Sequence, residues 1–123
     1  MSAFSDDLIT TIWEKGLEVE GIDGNFFRQD ACGAWIARTK YGDTTNPFGW
    51  EIDHVYPVQL GGQDDEINLR PMNWQNNHSK AVDYPSYHSA VTAKGLDNTA
   101  DRSIFTINSK LQEQLAELYK IMQ

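Results

Sequence analysis

Apolar and polar positions alternate along this chain in ways that predict a helix at each end and, between them, a short strand followed by strand, turn, strand and helix. Leu8 and Ile12, with Ile9 and Trp13 beside them, form an apolar face at helical spacing. Ser5 precedes them as a good N-cap, and Asp6 and Asp7 suit the positive end of a helix dipole. Gly16 or Gly21 is expected to end this helix, whose acidic side reads as a solvated face. Residues 21–33 read as loop, punctuated by Gly24-Asn25 and Cys32-Gly33, and residues 34–38 read as a short strand. A turn-rich connection over 41–47 follows. Trp50, Ile52, Val55 and Tyr56 predict a strand over 50–56, and Pro57, lacking an N–H, marks an edge or a break. Gly61-Gly62 is a turn, and Gln63-Asp64-Asp65-Glu66 reads as an exposed acidic tip. Ile67, Leu69 and Met72 predict a second strand, and Asn73 caps a helix running to about Lys80. Residues 82–101 are polar, interrupted by Pro85 and Gly95, and read as an irregular loop. Ile104, Ile107, Leu111, Leu115, Leu118 and Met122 recur at spacings of three and four and predict a closing amphipathic helix.

Composition narrows the class. A chain of 123 residues is expected to form one domain with a modest core. With 40% hydrophobic and 23% charged residues it has the make-up of a soluble globular protein. No apolar run approaches the roughly 18 residues of a membrane span, so no membrane partner is expected. The opening residues have neither a basic start nor an apolar stretch, so no signal peptide is expected. The single cysteine, Cys32, excludes an intrachain disulfide and any zinc knot built from several cysteines. It reads as a small buried packing residue, and the cytoplasm is the expected compartment.

Charge changes the picture more. The net charge of −8 argues against simple electrostatic attraction to nucleic acid. Its distribution is uneven, however. Residues 1–25 carry six acids against one base, 26–100 nine against six, and 101–123 three of each. The middle of the chain is therefore only mildly acidic. Arg38 and Lys40 there are candidate phosphate contacts, although ordinary surface bases are the simpler reading.

The densest chemistry lies in residues 49–80. Asp53-His54 is followed by Asn68 fourteen residues after His54, by Asn77 nine further on and by Lys80 three beyond that. Taken singly, these asparagines are turn or cap residues and Lys80 a solvated base; together, across a glycine turn, they can converge. Phosphodiester hydrolysis needs a base with pKa near 7, for which histidine is the natural choice. It also needs neutralisation of charge at the phosphate and the leaving oxygen, which a metal ion can supply. The Asp53 carboxylate and the Asn77 amide oxygen are hard ligands suited to Mg²⁺ or a similar ion. Neighbouring strand residues point to opposite faces, so Asp53 and His54 can share a site only where the strand distorts or ends.

Asp53-His54, Pro57, Gly61-Gly62, Asn68-Leu69, Asn77 and Lys80 together resemble the HNH motif of the ββα-metal (His-Me finger) endonucleases, over about a quarter of the chain. The resemblance implies an α+β fold, a small single domain with a ββα-metal core flanked by N- and C-terminal helices. It implies a metal-dependent endonuclease acting on DNA, with His54 as general base and Asp53 and Asn77 as ligands to Mg²⁺, or to Mn²⁺ or another divalent ion. Asn68 would tie the loop and help orient His54, and Lys80 would meet backbone phosphate. His78, beside the expected ligand position, is an alternative to Asn77, which the spacing favours. His88 matches no motif position and reads as a loop residue. Many such proteins hold a structural zinc with two Cys-x-x-Cys pairs. Here Asn73 and Asn76 stand in the second pair's places, so packing by Trp50, Trp74 and the terminal helices would have to replace it. The competing expectations are a non-catalytic ββα module that docks nucleic acid or protein, and an interaction protein with an acidic surface.

Overall fold

In the computed structural model, which describes residues 4–122, a central hairpin is held between two apolar clusters. Its strands are β3 (Trp50–His54) and β4 (Leu69–Asn73), paired antiparallel with His54 opposite Leu69 and Trp50 opposite Asn73. Helix α2 (Trp74–Lys80) follows β4 directly, begun by Asn73, whose side chain accepts from the Gln75 N–H. Strand, loop, strand and helix therefore follow in the expected order. The first strand stops at His54, two residues earlier than expected.

Helix α1 (Asp6–Trp13) starts where Ser5 predicts, its hydroxyl accepting from the Leu8 N–H at 3.2 Å. It ends at Trp13, short of both glycines. Ile12 and Trp13 are fully buried against Trp50, Ile52, Ile36 and Leu69, and the Trp13 and Trp50 rings lie 5.3 Å apart. Lys15 then ties the helix exit to the hairpin by donating to the Leu69 carbonyl at 2.7 Å. All four tryptophan indoles donate to a backbone carbonyl, Trp13 to Gly24, Trp35 to Gly95, Trp50 to Arg38 and Trp74 to Asn46. Their large apolar area is thus buried without an orphaned N–H.

Three expectations are corrected. The stretch 21–33 contains strand β1 (Phe27–Gln29), which pairs with β2 (Trp35–Ala37). The stretch 82–101 is not irregular. It carries β5 (Ser86–His88), β6 (Val91–Lys94) and β7 (Asp97–Ala100), the last two forming a hairpin turned at Gly95-Leu96. His88 accordingly lies in a strand. Few of these residues are buried, so they lack the alternation that betrays a strand. Backbone pairing and two bonds between the Asn98 side chain and the Trp35 main chain hold them. Finally, the closing helix α3 is only Ser109–Tyr119, capped by Asn108, because Ile104 belongs to β8 (Ile104–Thr106), the partner of β5. Among the described residues the fold is thus a small mixed α+β arrangement of three α-helices and four two-stranded antiparallel sheets. No described helix is long and apolar enough to cross a membrane.

Asn73 and Asn76 both meet a buried carboxylate. Asp30, 1% exposed, accepts from the Cys32 and Ala34 N–H groups on one oxygen, both at 2.9 Å. Its other oxygen accepts from the Asn73 N–H at 2.9 Å and the Asn76 amide at 3.0 Å. The Asn76 oxygen in turn accepts from the Ala90 and Val91 N–H groups. This polar hub joins the 30–34 turn, helix α2 and strand β6. Burial pushes the Asp30 carboxyl up, and the four donors pull the other way.

Cys32 is buried beside this hub, as expected of a packing residue. Burial pushes its thiol up to about 12, with the Asp30 charge adding to the rise. At pH 8 only about one thiol in ten thousand is then thiolate, the species that reacts. Iodoacetamide is expected to leave the folded protein unlabelled over an hour at pH 8 and to label Cys32 fully in urea, as read by intact mass; prompt labelling without denaturant would contradict the buried placement.

Candidate active site at the end of the central hairpin

Strand β3 ends at His54, where Asp53 and His54 can share a site. Beyond His54, the Val55 N–H still bonds the Asn68 carbonyl, but the Tyr56 N–H turns to the Asn68 side-chain oxygen at 2.7 Å. The Asn68 amide donates to the carbonyls of Tyr56 and Gln63, both at 3.1 Å. Fully buried, Asn68 therefore cross-links the two ends of the connecting loop. Gly62 fits beneath it because a Cβ there would collide with the Tyr56 carbonyl oxygen. Asn68 does tie the loop, as expected. It makes no bond to the imidazole, and it is too deep to touch a substrate.

The imidazole has another partner. His54 Nε2 lies 2.7 Å from Asp64 Oδ1, on the acidic tip. An ionised carboxylate only accepts, so with a neutral ring Nε2 carries the hydrogen and Nδ1 is left as the proton acceptor. Asp53, His54, Pro57, Asn77 and His78 line one open cleft of about 470 Å³. The structure thus brings three of the five expected site residues to a shared surface.

Asp53 lies at the cleft's floor, 4% exposed. Its Oδ2 accepts from Arg70 Nε at 2.9 Å, and its Oδ1 lies 3.4 Å from Lys80 Nζ. Lys80 corrects an expectation, because its side chain is fully buried and its ammonium also donates to the His54 carbonyl at 3.2 Å. A phosphate outside cannot reach it. Instead Lys80 anchors α2 to the end of β3. Burial draws its ammonium below the ordinary lysine value, and Asp53 opposes the fall. Arg70 reaches past Asp53 to lie over the Tyr87 ring, its Cζ 5.1 Å from the centroid, and its Nη2 is buried without a hydrogen-bond partner among the described residues.

Asn77 and His78 share a partner on β3. The Asn77 amide nitrogen donates to Glu51 Oε1 at 3.0 Å, and His78 Nε2 lies 2.9 Å from the same oxygen. The His78 ring also stands edge-on to Trp74, with centroids 5.5 Å apart.

A divalent ion of the Mg²⁺ kind fits this donor set. A carboxylate has about four acceptor positions, and Asp53 uses two of them. The Asn77 oxygen has no protein partner among the described residues, its nitrogen being the atom engaged by Glu51. Among those residues no group of three or more His, Cys, Asp or Glu side chains is placed to hold a metal alone. An ion here would rest on one carboxylate, one amide oxygen, waters and a substrate phosphate, the sparse protein coordination typical of Mg²⁺.

Glu51, Asp64 and Arg70 escape the motif reading. Glu51 alone leaves a sequence signal, since it lies two residues before Asp53 and a strand's period of two puts both on one face. Asp64 and Arg70 owe their roles to loop closure and to pairing across the hairpin. No protein-family model, curated protein or solved structure matches this chain.

Proposed function

We propose that this protein is a metal-dependent endonuclease of the HNH, or ββα-metal, type that hydrolyses phosphodiester bonds in DNA. What carries the proposal is the meeting of Asp53, His54 and Asn77 in one cleft, from positions spaced as in that motif. In the reaction the free nitrogen of His54 takes the proton of the attacking water, and Asp64 keeps the ring oriented and in one tautomer. Asp53 and the Asn77 oxygen would hold the divalent ion. When bound, that ion neutralises charge at the phosphate and at the leaving oxygen. Lys80 and Arg70 fix the Asp53 carboxylate, and Asn68 fixes the loop that carries His54's neighbours. A cytoplasmic location goes with this proposal.

Supercoiled plasmid incubated with the protein is expected to be nicked with Mg²⁺ or Mn²⁺ and untouched when a chelator is present. Nicking that persists in excess chelator would overturn the metal-dependent mechanism. The pairing of Asp53 with two cations favours one other possibility, a non-catalytic ββα module that docks nucleic acid or protein. Stable DNA binding with no nicking in either metal would select it.

A further inference from the structure

Strand β3 presents two carboxylates to helix α2, and the nuclease proposal uses only one of them. Asp53 meets Lys80, while Glu51, one pleat earlier on the same face, meets Asn77 and His78. We infer that Glu51 is a positioning residue for the metal: it holds the Asn77 amide by its nitrogen, which leaves the amide oxygen for the ion, and it occupies His78 Nε2.

Three observations carry this inference. A carboxylate cannot donate, so the Asn77 atom 3.0 Å from Glu51 Oε1 must be the amide nitrogen, and the oxygen faces away from Glu51. Asn77 lines the cleft with Asp53 and His54, whereas Glu51 does not, and its amide oxygen has no partner among the described residues. Without the carboxylate, the amide could rotate and present its NH₂ group to a cation. His78, half exposed, has the one nitrogen able to reach Glu51 committed at 2.9 Å and its ring held edge-on by Trp74. His78 Nε2 is thus withdrawn from ligation, whereas the Asn77 oxygen has no partner among the described residues. A partner that orients a ligand in this way typically governs metal affinity by about 10- to 100-fold.

The inference rests on the nuclease proposal, and binding of Mn²⁺ alone separates the two. Free Mn²⁺ would be counted by electron paramagnetic resonance as it is titrated into the wild-type protein, Glu51→Ala, Glu51→Gln, Asn77→Ala and the double variant Glu51→Ala/Asn77→Ala, with plasmid nicking measured in parallel. Glu51→Ala is expected to weaken Mn²⁺ binding about 10- to 100-fold. Glu51→Gln, which keeps an acceptor oxygen for the Asn77 amide, should recover most of that loss. The double variant should bind no worse than Asn77→Ala, because Glu51 acts through Asn77. Melting temperatures would be recorded throughout; a merely structural role would lower them and leave Mn²⁺ affinity unchanged in folded protein. Wild-type affinity in Glu51→Ala, or a double variant weaker than Asn77→Ala, would overturn the positioning role while leaving the nuclease proposal intact. A wild-type protein that neither binds Mn²⁺ nor nicks DNA would overturn both.

Discussion

Replacing His54 by alanine is expected to reduce plasmid nicking by at least about 10²- to 10⁴-fold, the range that a positioned general base contributes. The imidazole is the only titratable group lining the cleft beside Asp53 apart from His78, and the nitrogen of His78 that faces protein is taken by Glu51. His78 is the one alternative base among the described residues, and it stands on α2 next to Asn77 rather than at the end of β3 beside Asp53. The fold should scarcely notice. The side chain loses one bond to Asp64, itself half exposed, and a tilted contact with Phe4 at 6.2 Å. Exposed pairs of this kind contribute about 0–1 kcal/mol. The Lys80 bond ends on the His54 main-chain carbonyl and survives the substitution. Mn²⁺ binding and the melting temperature should stay close to wild type, so lost nicking can be assigned to chemistry. A folded His54→Ala variant that still nicks at the wild-type rate would remove His54 from the reaction.

The parts of this fold that are legible in the sequence are those with a local cause. Ser5 and Asn73 cap their helices through their own side chains, and the Asn68 brace follows from a buried polar residue closing a glycine-bearing loop. The convergence of Asp53, His54 and Asn77 is legible because strand, turn and helix lengths set it. What escapes depends on partners far away in sequence. Strand β7 is largely exposed and polar and β6 buries only Val91, while Asn98 bonds Trp35 across the fold, so no pattern within 82–101 announces them. Ile104 and Ile107 fall at helical spacing by coincidence; Ile104 is exposed in a strand and Ile107 buried just after it. Lys80 misleads for a related reason. Its position on α2 is right, but whether a lysine points to solvent or to a buried carboxylate depends on what the helix packs against.

Asp30 is the residue whose removal should cost the most stability. Its carboxylate is the shared acceptor for four donors drawn from the 30–34 turn and from the start of α2. Alanine there would leave four buried N–H groups without partners in a space too closed for each to find water. Each orphaned donor costs about 1–3 kcal/mol. These costs overlap as the site relaxes, and breaking a buried charged network typically destabilises by about 3–5 kcal/mol in total. Asparagine is nearly isosteric but should recover only part of this. One of its two polar atoms is an NH₂ group, which would face two donors where an oxygen now accepts from both. Urea melts should therefore show midpoints in the order wild type, Asp30→Asn, Asp30→Ala, with slopes unchanged if unfolding remains a single transition. Because Asn73 and Asn76 anchor α2 through Asp30, Asp30→Asn should also loosen Asn77 one turn on and weaken Mn²⁺ binding at temperatures where the protein is still folded. An unfolding free energy within about 0.5 kcal/mol of wild type in Asp30→Ala, the scatter of ordinary surface substitutions, would show that the tryptophan core holds the hairpin and helix together without the carboxylate.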